Sequence, residues 1–116
     1  MLKRINRVKK TKEFNYIHRK GKFYGCKYFS VHYVDTKLPV AKIGISISNK
    51  VGNSVTRSKY KRILSEIVRV KLPILDVKNY IITVKPEATS VDFMVLNEEF
   101  NQFLIKCNLV KDTKDV

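Results

Sequence analysis

The sequence has 116 residues and a hydrophobic fraction of 44%, which fits one folded domain over residues 1–116 and is unlike a disordered tail. The chain carries 24 Lys and Arg against 10 Asp and Glu, a net charge of +14. No run approaches the ~20 apolar residues of a membrane span, and no apolar signal-peptide core follows the basic start MLKRINRVKK. We therefore expect a cytoplasmic protein without a membrane partner.

The basic charge is concentrated in the N-terminal two thirds of the chain. Residues 1–71 hold 19 basic and 3 acidic side chains, whereas residues 72–116 hold 5 and 7. Such an asymmetry is typical of a surface for nucleic acid or for an anionic membrane, and the alternative is a soluble protein with a merely basic surface.

In chain order, residues 1–10 are predicted to form a flexible basic arm. Thr11 can cap a short helix that continues to about Arg19, with Phe14 and Ile17 facing inward. Gly21 and Gly25 then indicate a turn or an irregular strand.

Two segments alternate as strands do. In residues 28–34, one face carries Phe29, Val31 and Tyr33, and in residues 42–48 one face carries isoleucines at every second position. The opposite faces carry small and polar groups, so we expect that side of the sheet to be open to solvent or to a ligand.

A basic helix follows, from about Ser54 to Lys71, with Asn53 as its predicted cap. One side is an apolar stripe that belongs in a core. The other side gathers cations without the acidic partners that normally accompany a solvated face, which favours a phosphate ligand over plain solvation. The apolar stripe consists of Tyr60, Ile63, Leu64, Ile67, Val68 and Val70, and the cations are Arg57, Lys61, Arg62 and Arg69.

The last third supplies the remaining elements. Residues 72–78 are a predicted loop and residues 80–84 a buried strand. Ser90 is the predicted cap of a last helix whose apolar stripe ends at Cys107, which we expect in the core, and residues 109–116 are a predicted polar tail. The order α-β-β-α-β-α predicts a single-domain α+β protein, an α-β sandwich with helices covering the sheet.

The N-terminal third interleaves aromatic rings with cations, a pattern that suits single-stranded RNA, because bases stack on rings while cations follow the backbone. The alternative is that most of these rings belong to the core.

Catalytic groups are scarce. His18 and His32 have no carboxylate partner nearby in sequence, no carboxylate cluster suits a two-metal nuclease, and Cys26 and Cys107 match no zinc pattern. We therefore predict no catalytic residue and no protein-borne metal site.

The run KVGNSVTRSKYKR resembles the signature of the bacterial ribonuclease P protein component, the small basic subunit that works with a catalytic RNA. The preceding strand GISIS and the opening RVKKTKEF also resemble that family. The chain departs from the pattern at Ser58, Lys59 and Ser65, and its His18, Ser30 and His32 stand where the family has more aromatic or apolar residues. The signature matches are Lys50, Gly52, Asn53, Val55, Arg57, Lys61 and Arg62.

The resemblance implies a left-handed β-α-β crossover through the basic helix and two RNA surfaces. The chemistry, a magnesium-dependent removal of the 5′ leader from precursor tRNA, would belong to the RNA, with Mg²⁺ held mainly by the RNA subunit and the substrate. No obligate protein partner is implied. The residues expected on the catalytic RNA are Lys50, Asn53, Arg57, Lys59, Lys61, Arg62 and Arg69. Those expected on the leader are Arg7, Lys10, Lys12, Phe14, His18, Ser30, His32, Ser46 and Ser48.

Two other functions remain open from the sequence. A ribosomal or other structural RNA-binding protein could carry the same sort of basic helix without any role in tRNA processing. A self-sufficient nuclease would cleave RNA without an RNA subunit, although the missing carboxylate cluster argues against it.

Overall fold

The computed structural model describes residues 6–8 and 10–110, so most of the predicted basic arm and residues 111–116 of the predicted tail lie outside the described residues. Two short 3-10 helices, Asn49–Val51 and Pro86–Ser90, precede the second and third α-helices. The main elements are α1 (Thr11–Lys20), β1 (Lys22–Gly25), β2 (Phe29–Asp35), β3 (Lys42–Ile47), α2 (Ser54–Lys71), β4 (Lys78–Val84) and α3 (Phe93–Lys106).

The strands form one four-stranded sheet in the order β1-β2-β4-β3. β2 pairs antiparallel with β1 and with β4, whereas β3 runs parallel to β4 and is joined to it through α2. The predicted α+β class and the β-α-β crossover are confirmed. The predicted element order lacks β1, because the segment between Gly21 and Gly25, left open as a turn or an irregular strand, pairs with β2 as a short strand.

The main core lies between one face of the sheet and the helices α2 and α3. Phe29, Val31 and Tyr33 of β2 point into it, as their alternation predicted. From α3 come Phe100 and Phe103, whose ring centroids lie 5.5 Å apart. The sheet face that carries the isoleucines of β3 is therefore the covered one.

The opposite face of the sheet carries α1. Ile17 at the centre of α1 is 1% exposed and packs with Ile81 of β4, while Phe14 and Val34 border this smaller core. Burial of one such isoleucine contributes about 2 kcal/mol, which explains how a ten-residue helix stays on the sheet. The remainder of this face stays outside both cores.

Two terminal predictions need correction where the residues are described. Residues 6–8 were predicted as part of a flexible arm, but Val8 is buried and its backbone N–H donates to the Ile43 carbonyl at 3.1 Å. Leu109, predicted as the start of a polar tail, is buried as well, and Val110 forms a bridge with Leu75. In both cases an apolar side chain is buried in a core, Val8 in the smaller core beside α1 and Leu109 in the main core.

The helix caps agree with the sequence in one case of three. Asn53 caps α2 as predicted. Lys10, not Thr11, precedes α1, and its backbone N–H donates to Glu13 Oε1 at 3.4 Å. Asp92, not Ser90, caps α3, because Ser90 belongs to the preceding 3-10 helix and its hydroxyl donates to the Glu87 carbonyl.

Two predicted core positions also differ. Val70, placed in the apolar stripe of α2, is 59% exposed, because it lies near the end of the helix beyond the edge of the main core. Cys107 is half-buried at the C-terminal end of α3 and packs against that core without being buried in it.

Candidate nucleic-acid interface

The start of α2 is built by a glycine and two polar caps. Gly52 has φ of 155°, and a Cβ atom there would come within 2.9 Å of Thr56 Cγ2, so the turn into α2 requires glycine. Asn53 Oδ1 accepts a hydrogen bond from the Thr56 N–H at 2.9 Å. Ser48 Oγ accepts from the Lys50 N–H at 3.3 Å, so this serine holds the turn before α2 and leaves Lys50 exposed.

Arg57 and Lys61 lie one helical turn apart on the side of α2 that faces the edge strand β3. Both line a groove beside Ile45, together with the hydroxyl-bearing Ser54 and Ser58. Arg57 is half-buried, and its Nε atom is shielded from solvent without an acceptor among the described residues. A buried donor without an acceptor is costly unless a ligand supplies one, so this position favours an anion.

The structure does not bring all the predicted cations of α2 together. The Lys59 Nζ atom lies 5.7 Å from the centroid of the Tyr60 ring, away from the groove side, and Arg62 is exposed. Arg69 lies about 18 Å along the helix axis from Arg57 and makes two 2.8 Å contacts with Glu66 Oε2. That contact lowers the pKa of the Glu66 carboxyl. Of the predicted cations of α2, Arg57 and Lys61 are therefore the two that lie together in this groove.

The groove continues along β3 past the N-terminal segment. Its first part has a volume of about 280 Å³ beside Arg57, and its second part, also about 280 Å³, extends to Phe14 and Arg7. Ile45 and Lys61 line both parts, and we call the whole the edge groove. Its described lining residues include three cations and no carboxylate, a charge balance that suits a polyanion.

Next to α1, the uncovered sheet face presents a row of small hydroxyl side chains. Ser30 of β2 and Ser46 of β3 both pair with Thr83 of β4, so the three residues stand side by side across the sheet. We call them the polar row. Ser30 is only 8% exposed, deeper than expected, whereas Ser46 and Thr83 are half-buried. Thr83 was missed by sequence reasoning, because only the strand register shows that it lies between the two serines.

Phe14 joins the polar row to the edge groove. Its ring lies on Gly44, the residue two positions before Ser46 on the same face of β3. It also lines the edge groove beside Lys61. The predicted leader residue Phe14 and the predicted catalytic-RNA residue Lys61 therefore border one continuous concave surface.

His18 and His32 meet one helical turn further along α1 than Phe14. Their ring centroids are 4.6 Å apart, and the Phe23 ring of β1 stands edge-on to His32 at 5.1 Å. Burial, with a smaller contribution from His18, lowers the pKa of the His32 imidazole. We call these three residues the ring cluster. Phe23 was also missed, because a short strand bounded by glycines gives little alternation to read.

The other predicted leader residues flank these features. Arg7 is exposed and lines the edge groove, and its segment bridges to Ile43. Lys10 and Lys12 are exposed at the start of α1. Ser48 is the exception, since its hydroxyl is engaged in the turn before α2.

A further cavity of about 450 Å³ lies elsewhere, against the C-terminal ends of β2, α1 and α3. The two acidic side chains that line it, Asp35 and Asp76, are both close to the ammonium group of Lys78. Lys78 Nζ contacts the Asp35 carboxylate and lies 3.8 Å from Asp76 Oδ2, and the Lys78 contact lowers the pKa of the Asp35 carboxyl. Over residues 6–8 and 10–110 there is no group of three or more His, Cys, Asp or Glu that could hold a metal ion. Nor is any helix there long and apolar enough to cross a membrane.

Comparison with known proteins decides the family. Residues 2–108 match the sequence profile of ribonuclease P. The chain belongs to the ribonuclease P protein family. It is 30% identical over 111 residues to the ribonuclease P protein component of Natranaerobius thermophilus, a match covering 95% of this chain and 96% of that protein. A Clostridium botulinum (strain 657 / Type Ba4) component is 37% identical over 67 residues, and there the match spans 58% of this chain and 60% of the relative.

The fold agrees with solved members of the ribonuclease P protein family. The Staphylococcus aureus protein superimposes with a TM-score of 0.84 at 27% identity, covering 90% of this chain and 96% of that one. Membership makes the chain a component of a ribonucleoprotein nuclease of tRNA processing, with the RNA subunit of ribonuclease P as its partner.

Proposed function

We propose that the chain binds the catalytic RNA through α2 and the edge groove, and holds the single-stranded 5′ leader of precursor tRNA on the polar row and α1. It thereby assists removal of the leader to give the mature 5′ end. The single observation that carries this proposal is the shared position of Lys61, which lies in the part of the edge groove beside Arg57 and in the part beside Phe14. Substrate and catalytic RNA would meet along one surface.

The contacts follow the chemistry of each surface. Arg57 offers a planar fork and an unsatisfied Nε–H, which suit a phosphate, and Lys61 supplies a point charge beside it. Lys50, Asn53, Lys59 and Arg62 would extend this contact over the exposed start of α2, while Arg69, paired with Glu66, would contribute less. On the sheet, Phe14 offers a ring and the polar row offers hydroxyl groups, a combination that suits bases of single-stranded RNA.

Phosphodiester hydrolysis would be carried by the RNA subunit and Mg²⁺ bound mainly by RNA. The described residues do not fit a protein-borne magnesium site, because Mg²⁺ takes carboxylate oxygens and no acidic cluster borders the edge groove or the polar row. The protein would instead offset repulsion between the two RNA chains with its net charge of +14, and so lower the magnesium requirement. We place this activity in the cytoplasm.

Binding of matched substrates tests the proposal. Holoenzyme assembled from the protein and its cognate catalytic RNA should bind precursor tRNA with a leader of several nucleotides more tightly than mature tRNA, whereas the catalytic RNA alone should show a smaller difference. Equal affinity for both substrates in the holoenzyme would overturn leader binding. Failure to bind the catalytic RNA, with retention on ribosomal RNA, would favour a ribosomal role.

A further inference from the structure

The ring cluster is a compact group drawn from three elements. Phe23 of β1 and His32 of β2 are directly paired residues of the sheet, and His18 reaches them from α1. The chain contains two histidines in all, and both are here. Phe23 is 63% exposed, more than any other phenylalanine among the described residues, so its ring is held at the surface and not in the core.

Gly25 keeps the Phe23 ring against the sheet. The two residues lie on the same face of β1, and a Cβ atom at position 25 would come within 3.0 Å of Phe23 Cε2 and Cζ. The ring therefore lies over the glycine and leaves its other side open to solvent. Gly25 also pairs with Ser30, which places the ring beside the polar row at about the 4.8 Å spacing of neighbouring strands.

The charges around the histidines favour an anion. The residues that face His32 are His18 from α1, Phe23 from β1 and Ile81 from β4. The charged residues next to them in the chain, Arg19 and Lys22, are cations. Glu13, the acidic residue of α1, lies towards β3, with its carboxylate 3.7 Å from Lys42 Nζ. A protonated imidazole here has no carboxylate to pair with among the described residues.

Burial and the neighbouring histidine both disfavour that proton in the free protein, which lowers the pKa of His32. His32 Nδ1 is also shielded from solvent and without a partner among the described residues. A phosphate placed beside the pair would remove the repulsion and supply an acceptor, so its binding and protonation would favour each other.

We propose that Phe23, His18 and His32 form a subsite for one nucleotide of single-stranded RNA, in which the base stacks on Phe23 and the protonated histidine pair holds a phosphate, so that binding takes up a proton. The proposal deepens leader binding and rests on it. It differs in adding a residue of β1 and in predicting a pH dependence that the lysines and arginines of the other surfaces cannot produce.

Stacking of a base on Phe23 is tested by comparing substitutions at two exposed phenylalanines. Phe93 of α3 is 45% exposed on the layer behind the sheet, so Phe93→Ala removes the same side chain far from the ring cluster. Binding of a fluorescent oligouridylate, measured by anisotropy, should weaken by about fivefold or more in Phe23→Ala and by less than about twofold in Phe93→Ala. Equal effects, or none at position 23, would overturn the stacking contact.

Proton uptake on binding is tested with the same oligonucleotide, because uridine has no group that titrates in mildly acidic solution. Affinity should rise by about threefold to tenfold from about pH 7.5 to pH 5.5 in the wild type. The rise should disappear in the His18→Gln/His32→Gln double variant. In proton NMR, the His32 imidazole signal should titrate at higher pH when the oligonucleotide is bound, a readout that does not depend on how the variants fold.

The outcomes separate this proposal from the proposed function. Binding without any shift of the imidazole titrations would overturn the proton-linked subsite and leave leader binding in place. No binding of the oligonucleotide, by the protein or by the assembled holoenzyme, would overturn leader binding itself.

Discussion

The Phe14 ring lies so close to the backbone of Gly44 that a Cβ atom at position 44 would stand 2.6 Å from Phe14 Cζ and 2.9 Å from Cε1. This contact fixes the height of α1 above the sheet. It also sets Phe14 between the polar row and the edge groove. Because Gly44 of β3 has no side chain, Phe14 can lie where the proposed leader surface meets the proposed RNA-binding surface.

The substitution Gly44→Ala should displace Phe14 and lower the free energy of unfolding by about 1–3 kcal/mol, because the methyl group overpacks a filled space. Urea denaturation measures this directly. Ser46→Ala is the control, on the same strand and face two residues later, and should change stability by less than about 0.5 kcal/mol. A Gly44→Ala variant as stable as the wild type would show that α1 can move without cost.

The double substitution Arg57→Ala/Lys61→Ala should weaken binding of the catalytic RNA and flatten its salt dependence. The logarithmic slope should fall by about one unit for each phosphate that the variant no longer neutralises. Lys37→Ala/Lys106→Ala removes the same charge from exposed positions away from the edge groove and should leave the slope nearly unchanged. Equal slopes for both double variants would mean that the edge groove does not bind phosphate.

The cap residue of α2 allows stability and RNA binding to be separated. Asn53→Asp keeps the oxygen that accepts from the Thr56 N–H and adds a negative charge at the positive end of the helix, so it should hold or raise stability by about 0.3–1 kcal/mol. The same carboxylate would repel phosphate, so affinity for the catalytic RNA should fall. Asn53→Ser keeps a cap without the charge and should retain both properties. Wild-type affinity in Asn53→Asp would remove Asn53 from the interface.

His32 predicts a pH dependence of stability. Its pKa in the folded protein is lowered from 6.5, chiefly by burial and then by His18. As the pH falls below about 6.5, the unfolded chain takes up the proton first, so stability decreases until the folded pKa is passed. The midpoint of urea denaturation should therefore decrease from about pH 7.5 to pH 5.5 in the wild type and stay flatter in His32→Gln. The same decrease in both proteins would assign the effect to other groups.

Local patterns in the sequence predicted the elements that carry the site. The Asn53 cap of α2 and the alternation of β2 and β3 depend on residues close in sequence, and the structure agrees with them. Of the predicted cations of α2, Arg57 and Lys61 meet in the edge groove, whereas Arg69 pairs with Glu66. Membership of the family followed from the spacing of the signature. The placement of individual leader contacts stays a prediction.

Contacts between distant segments could not be predicted in the same way. Only the strand register shows that Thr83 lies between Ser30 and Ser46. Likewise, only the pairing of Phe23 with His32 shows that the Phe23 ring belongs to the ring cluster. Val8 is buried because an edge strand accepts its segment, which no local pattern encodes. Helical spacing predicted that Val70 lies in the core, but spacing alone does not show where the layer that covers α2 ends.

The central claim is that the protein assists a catalytic RNA in removing the 5′ leader, and a magnesium titration tests it most directly. Processing of precursor tRNA by the cognate catalytic RNA would be followed with and without the protein as the magnesium concentration is lowered. The account predicts that the protein shifts the half-maximal magnesium concentration downward, and that the Arg57→Ala/Lys61→Ala variant shifts it less. Identical curves with and without the protein would contradict the account, and cleavage by the protein without RNA would assign the chemistry to the protein instead.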